Sequence, residues 1–282
     1  DTISGGATAT QNNGLSSPVA VDSDGDYITD VIYAGDLQGN LWAFDVSSEN
    51  VNNWKVKHSG LPLFRACMDI SCALPKRITA KPQVGRNPAG GLMVYFGTGK
   101  YTDLGDNFES DQKGVIDTFY GLHDDGRRVI KSKLIQQKIL QELTFGTDLR
   151  SRVTSDKKVP YPESQGWYMD LLTPPSTQDN GERVISQAVL REGRLIFVTL
   201  SPTQDECAWD GDSWLMELNA VDGSRLSVIP IDLNNDKEFT EADNVDYKGR
   251  STIVSGVQQP SVGMVFEPPA IINHGPHTEG KY

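Results

Sequence analysis

Nine residues near the start of the chain, Asp22-Ser23-Asp24-Gly25-Asp26-Tyr27-Ile28-Thr29-Asp30, put carboxylates at positions 1, 3, 5 and 9 and a glycine at position 4. Alternate residues of a curled loop point inward, so the four carboxylates converge on one centre. Ile28, at position 7, would add its backbone carbonyl. Such a set of hard oxygens suits Ca2+, which takes six to eight of them at about 2.3–2.6 Å and fills the remainder of its shell with water. Without a cation, four carboxylates this close would repel one another and raise each other's pKa. The expected metal ligands are therefore Asp22, Asp24, Asp26, Ile28 and Asp30, against the plainer reading of a solvated acidic turn. Strand-like runs on both sides exclude a helix–loop–helix hand, and position 12 is Tyr33 rather than Glu.

A second acidic run, Asp232 to Asp243, carries Asp232, Asn234, Asp236 and Asp243 at positions 1, 3, 5 and 12. Glu238 would supply its carbonyl at position 7. The sharp turn that glycine usually makes at position 6 falls on Lys237, so an acidic hairpin loop is the equal alternative to a second calcium site. Asp103, Asp106, Glu109 and Asp111 lack the alternation and read as a solvated insertion. Cys67 and Cys72 can close a small loop if strand ends meet there, while three buried thiols are the other reading. Cys207 is either free or paired with one of them. Catalytic signatures are poor: Gly-x-Ser-x-Gly and His-Glu-x-x-His are both absent, and Gly97-Thr98-Gly99 does not complete a phosphate loop. His274 and His277 fall in a loose tail, and the Trp209–Trp214 stretch reads as a turn and strand rather than a sugar platform.

These loops need strands to hold them, and strand-like runs dominate. Val19 to Val21, Val31 to Ala34, Leu41 to Val46 and Trp54 to Lys57 are short, rich in β-branched and aromatic residues, and joined by tight turns. Such a meander is the unit of a propeller blade. Aromatic third strands recur at Phe119, Trp167 and Trp214, at blade-length intervals of 48 and 47 residues. The expected fold is all-β, a modified β-propeller with blades over roughly 16–58, 78–131, 134–172, 183–230 and 251–267, and a tail over 268–282. Four to five blades make only part of a ring, so upstream blades of the same protein are expected to complete it. The one helix candidate, Ser132–Glu142, fits a strand about as well. Composition agrees: 26 Asp against 12 Glu, with 27 Gly and 15 Pro, belong to a turn-rich protein. A net charge of −12 on 282 residues argues against nucleic acid or an anionic membrane as partner. No run approaches the 18 apolar residues of a membrane-spanning helix. No charged and apolar leader begins the chain, which reads as a mature fragment or excised domain.

The stretch from Val21 through the Asp22–Asp30 loop to Asp30-Val31-Ile32-Tyr33-Ala34-Gly35-Asp36-Leu37-Gln38-Gly39-Asn40-Leu41-Trp42-Ala43-Phe44-Asp45 resembles the calcium blade of the PilC/PilY family of type IV pilus factors. Ile78-Thr79-Ala80-Lys81-Pro82, Val94 to Tyr101, Phe119-Tyr120-Gly121, Gly166 to Leu171 and Ser213 to Leu218 extend the resemblance over about residues 16–265. It implies a quinoprotein-like β-propeller of a secreted pilus assembly factor and tip adhesin. It implies bound Ca2+ on Asp22, Asp24, Asp26, Ile28 and Asp30 that helps pilus extension balance retraction, and so twitching motility and surface attachment. The implied partners are minor pilins at the pilus tip and a host-cell or surface receptor, and the implied place is outside the cytoplasm of a Gram-negative bacterium. The Arg-Gly-Asp motif of some members is absent, as is their von Willebrand-type region. A glycan-binding, lectin-like propeller is the alternative. A quinone-dependent dehydrogenase fits less well because no two cysteines are adjacent, so no enzyme is expected.

Overall fold

The computed structural model describes residues 13–69, 71–107, 114–176, 180–202, 211–258, 263–273 and 279–281. The chain is all-β. Its strands are β1 (Val19–Val21), β2 (Val31–Gly35), β3 (Asn40–Asp45), β4 (Lys55–Val56), β5 (Phe64–Arg65), β6 (Gln83–Arg86), β7 (Leu92–Gly97), β8 (Thr118–Asp124), β9 (Ile135–Gln137) and β10 (Ile139–Phe145). They continue as β11 (Leu149–Thr154), β12 (Gly166–Asp170), β13 (Val189–Arg191), β14 (Arg194–Pro202), β15 (Gly211–Asn219), β16 (Val245–Asp246), β17 (Ser251–Thr252), β18 (Gly256–Gln258), β19 (Ile271–Asn273) and β20 (Glu279–Lys281). Three sheets carry the described fold. The first runs β1-β2-β3-β4 with β5 also on β3, the second β6-β7-β8-β12-β9, and the third β10-β11-β18-β15-β14-β13.

The two-residue period of a strand explains how the sheets stack. In the second sheet, Val94, Phe96, Tyr120 and Leu122 face the first sheet, where they meet Val31, Tyr33, Leu41 and Ala43. The intervening Met93, Tyr95 and Phe119 face the third sheet and pack with Leu195, Phe197, Met216 and Leu218. The second sheet is thus buried on both faces. A third cluster, Val153, Ile231, Leu233, Val245 and Val254, lies beyond the third sheet. The stacking requires one close approach twice over. A Cβ on Gly35 would lie 2.2 Å from Ile78 Cγ2, and one on Gly97 would lie 2.2 Å from Val184 Cβ. Both glycines end a second strand, and both face a β-branched residue that follows the sheet.

The turn between β2 and β3 shows how sequence sets the first sheet. Asp36 is fully buried. Its Oδ1 accepts the N–H groups of Gln38 and Asn40, both at 2.9 Å, and its Oδ2 accepts Asn40 Nδ2 at 2.9 Å and the Trp42 indole N–H at 2.7 Å. Gly39, at φ +75°, lets the chain pass so close that a Cβ would sit 2.5 Å from the Ala66 carbonyl oxygen. Asp-x-x-Gly-Asn-x-Trp is therefore one hydrogen-bonded device, with the acid in place of water for buried donors.

The sheets divide the chain differently from the blades read in the sequence. The Trp167 strand, β12, is no separate blade: it pairs antiparallel with β8 inside the second sheet and parallel with β9. Residues 134–172 are shared, because β10 and β11 form a hairpin of the third sheet. Residues 251–267 do not begin a blade either; β18 inserts between β11 and β15. The helix candidate is a short 3-10 turn, Lys131–Lys133, followed by β9 and β10. In the tail, β19 and β20 pair antiparallel.

Candidate metal centre

The Asp22–Asp30 loop connects β1 to β2, whose register pairs Val21 with Val31 and closes the loop's base. Its carboxylates organise its backbone. Asp22 accepts the N–H of Gly25 on Oδ1 at 2.6 Å and that of Tyr27 on Oδ2 at 2.7 Å. Asp24 Oδ1 accepts Asp26 N–H at 3.1 Å, and Asp26 Oδ1 accepts Ile28 N–H at 2.7 Å. Asp30 Oδ2 takes both the N–H and the hydroxyl of Ser23, each at 2.7 Å. Gly25 (φ +92°) and Tyr27 (φ +70°) are left-handed, which curls the loop.

Carboxylate oxygens of Asp22, Asp24 and Asp30 lie within 4.8 Å of one another. Three carboxylates that close are within reach of a single cation, since oxygens on opposite sides of a Ca2+ at about 2.4 Å each stand about 4.8 Å apart. Asp26 stands outside this group of three. Ile28 is 58% exposed, and because its aliphatic side chain carries no ligand atom only its backbone carbonyl could serve. The N–H groups of Gly25 and Tyr27 hold Asp22 below the usual carboxylate range. The Ser23 hydroxyl and N–H do the same for Asp30, against the repulsion of Asp22. Both are therefore ionised at neutral pH. Ser23 escaped the sequence reading; its signal is a hydrogen-bonding residue just after the first acid.

The Asp232–Asp243 loop repeats this frame. Position 1 accepts the N–H of position 6 (Lys237 to Asp232 Oδ2, 2.8 Å), position 3 that of position 5 (Asp236 to Asn234 Oδ1, 2.9 Å), and position 5 that of position 7 (Glu238 to Asp236 Oδ1, 2.8 Å). The closing acid accepts the N–H of position 2 in both loops, here Leu233 to Asp243 Oδ1 at 2.8 Å. Asn235 (φ +59°) and Lys237 (φ +71°) take the left-handed places of Gly25 and Tyr27, so the missing glycine does not prevent the turn. Asp232 Oδ1 is sealed from solvent and accepts no hydrogen bond. Asp243 is fully buried and also binds Asn234 N–H and Thr240 N–H. Among the described residues, the carboxylates of this loop do not close into a second group of three.

Cys67 and Cys72 are joined in a disulfide, with Cα atoms 5.1 Å apart. Lys131 Nζ donates to the Cys67 carbonyl at 3.0 Å, which ties that loop to the second sheet. Asp106 corrects the solvated reading of its cluster. It is 2% exposed, accepts the N–H groups of Thr102 and Asp103, and pairs with Lys100. Glu109, Asp111, Cys207, Trp209, His274 and His277 lie outside the described residues.

Stacked, mainly antiparallel sheets with an oxygen-lined loop between adjacent strands define a β-propeller domain that carries a candidate divalent-cation site in one of its sheets. A sequence profile of the PilY1 β-propeller domain matches residues 3–151, and the chain belongs to that family. It is 33% identical over 219 residues to a type IV pilus biogenesis factor PilY1 homolog of Xylella fastidiosa, covering 75% of this chain and 14% of that protein. To the type IV pilus biogenesis factor PilY1 of Pseudomonas aeruginosa PAO1 it is 30% identical over 286 residues, covering 89% of this chain and 24% of that protein. The crystal structure of the P. aeruginosa PilY1 C-terminal domain matches at a TM-score of 0.82 and 26% identity, over 98% of this chain and 60% of that one. The chain thus spans about a quarter or less of these two relatives. They are named as pilus biogenesis factors rather than as enzymes.

Proposed function

We propose that this domain binds Ca2+ in the Asp22–Asp30 loop, with the Asp232–Asp243 loop as a second site, and serves a type IV pilus assembly factor that is also a tip-associated adhesin. The observation that carries the reading is the convergence of Asp22, Asp24 and Asp30 in a loop whose hydrogen bonds already hold it curled. Asp26 and the Ile28 carbonyl complete the proposed ligand set, and Asp232, Asn234, Asp236, Glu238 and Asp243 form the second. The ion would fix the β1–β2 connection and offset charge there; catalysis has no part in this reading.

In this role the domain sits outside the cytoplasm, at the pilus tip or outer cell surface. It works with the upstream part of its own protein, minor pilins and a surface receptor, and supports extension against retraction, twitching and attachment. The pilus names of its relatives support that assignment. The test is chromosomal Asp22→Ala in the native cell, scored by surface pili and twitching zone. Reduced piliation or motility is expected. Wild-type piliation and twitching in a variant shown to have lost calcium would overturn the functional part.

A further inference from the structure

Between Arg225 and Ser255 the chain steps off the third sheet. The Arg225 N–H donates to the Ser155 carbonyl at 3.1 Å, and the Ser255 N–H donates to the Arg152 carbonyl at 2.8 Å. Within that excursion β16 and β17 pair with each other and with no other described strand. Asp243, Asn244, Tyr247 and Arg250 likewise donate their N–H groups to carbonyls of the same segment. Among the described residues, 231–254 are thus held on the third sheet by apolar side chains rather than by a strand ladder. Ile231, Leu233, Val245 and Val254 pack with Val153 of β11, and Leu140, Leu143, Phe145 and Leu149 of the β10–β11 hairpin lie against that cluster. Val153 is 0% and Val254 1% exposed, so the cover excludes water.

The acidic loop is the frame of that cover. The buried Asp243 carboxylate accepts the N–H groups of Leu233 and Asn234 on Oδ1, at 2.8 and 3.2 Å, and that of Thr240 on Oδ2 at 3.0 Å. One carboxylate thereby sets the spacing between two apolar anchors, Leu233 beside Asp232 and Val245 two residues beyond Asp243. The frame holds five acids, Asp232, Asp236, Glu238, Glu241 and Asp243, against Lys237 alone. Among the described residues no cationic side chain pairs with Asp243, and the sealed Asp232 Oδ1 accepts no hydrogen bond. Carboxylates gathered in one loop repel, and a sealed oxygen without a donor costs free energy. Both penalties are relieved by a cation, or by opening the loop to water.

On the reading of 232–243 as the second calcium site, we propose that residues 231–254 are latched over the third sheet by calcium and lift from it without calcium. With the loop open to water, Leu233 and Val245 lose their fixed spacing, and the segment leaves Val153, Leu143 and Phe145. Calcium in this loop therefore decides whether an apolar face of the third sheet is hidden or bare. The first loop has no such role, since it closes between the paired strands β1 and β2.

The test uses the full chain carrying Asp22→Ala, so that calcium acts through the second loop alone. Calorimetric calcium titration first counts the sites, and one is expected. Hydrogen exchange of this chain, and maleimide labelling after Val153→Cys and Cys207→Ser are added, are then read with calcium and with EDTA. At free calcium a hundredfold above Kd, an opening coupled to release of the ion is suppressed about a hundredfold. Exchange of the Tyr247 and Arg250 amides and labelling at position 153 should both speed up by about that factor in EDTA, with β7 and β8 unchanged. Adding Asp232→Ala should give the fast rates even with calcium present. Should Val153→Cys melt abnormally, the amide rates decide alone. One titrating site with unchanged rates would overturn the latch and leave the second calcium site standing. No titrating site would overturn the second site and the latch with it. Equal acceleration throughout the chain, β7 and β8 included, would also overturn the latch, because it marks global rather than local opening.

Discussion

Chelation is the sharpest perturbation of the proposed metal centre. In the unfolded chain nothing brings Asp22, Asp24 and Asp30 within reach of one another, so calcium binds the folded state alone. At free calcium a hundredfold above Kd, that linkage stabilises the fold by about 2.7 kcal/mol per site. For a domain of this size, 1 kcal/mol moves Tm by roughly 2–4 °C, so EDTA should lower Tm by about 5–10 °C for one filled loop and about twice that for two. The assay is thermal melting with and without EDTA, alongside calorimetric calcium titration. Wild type should titrate two sites, Asp22→Ala and Asp232→Ala one each, and the double variant none. Asp24→Asn should keep its site, because an amide oxygen can still accept Asp26 N–H and Asn234 fills the same place in the other loop. A Tm unmoved by EDTA, or an Asp22→Ala variant that titrates like wild type, would rule out calcium in the Asp22–Asp30 loop.

Other outcomes follow from the buried polar groups. Asp36→Ala removes the acceptor of the buried Trp42 indole N–H and should cost about 1–3 kcal/mol in urea unfolding for that orphaned donor. Arg152, 1% exposed, bridges Glu142 and the buried Glu182 and stacks 3.8 Å above Trp214, so Arg152→Met should cost about 3–5 kcal/mol. Burial alone would raise Glu142, but Arg152, Thr173 and Arg150 outweigh it and hold its carboxyl below the ordinary glutamate range. Its folded pKa is depressed, so its contribution is full above about pH 4.5 and is lost as pH falls through the folded value. Urea midpoints from pH 7 down to 3 should show that loss, and Arg152→Met should flatten it. Reducing the Cys67–Cys72 bond should cost about 2 kcal/mol for so short a loop, measured as a lower Tm in dithiothreitol.

What could be read before folding was whatever is closed within a dozen residues. The Asp22–Asp30 and Asp232–Asp243 spacings, the Asp36–Trp42 turn and the alternating strands work through hydrogen bonds between near neighbours, so residue type and interval suffice. Lys237 marks the edge of that logic: its identity spoke against the turn, yet its backbone adopts the left-handed conformation within the same hydrogen-bonded frame. The blade divisions were less legible. Trp167 was visible as a strand, but that β12 lies between β8 and β9, and β18 between β11 and β15, depends on which faces bury each other across long separations.

The same distinction holds for function. Residue types and their intervals were enough for the all-β class, the family resemblance and the oxygen-rich loops, because those are local patterns with local physics. The stacking of the sheets is what buries Asp106, brings the Asp124 carboxylate to the Tyr33 hydroxyl from 91 residues away, and sets loops 22–30 and 46–54 at one end of a sheet. Such groups become neighbours only when sheets stack and apolar faces leave water, and no interval along the chain encodes that distance.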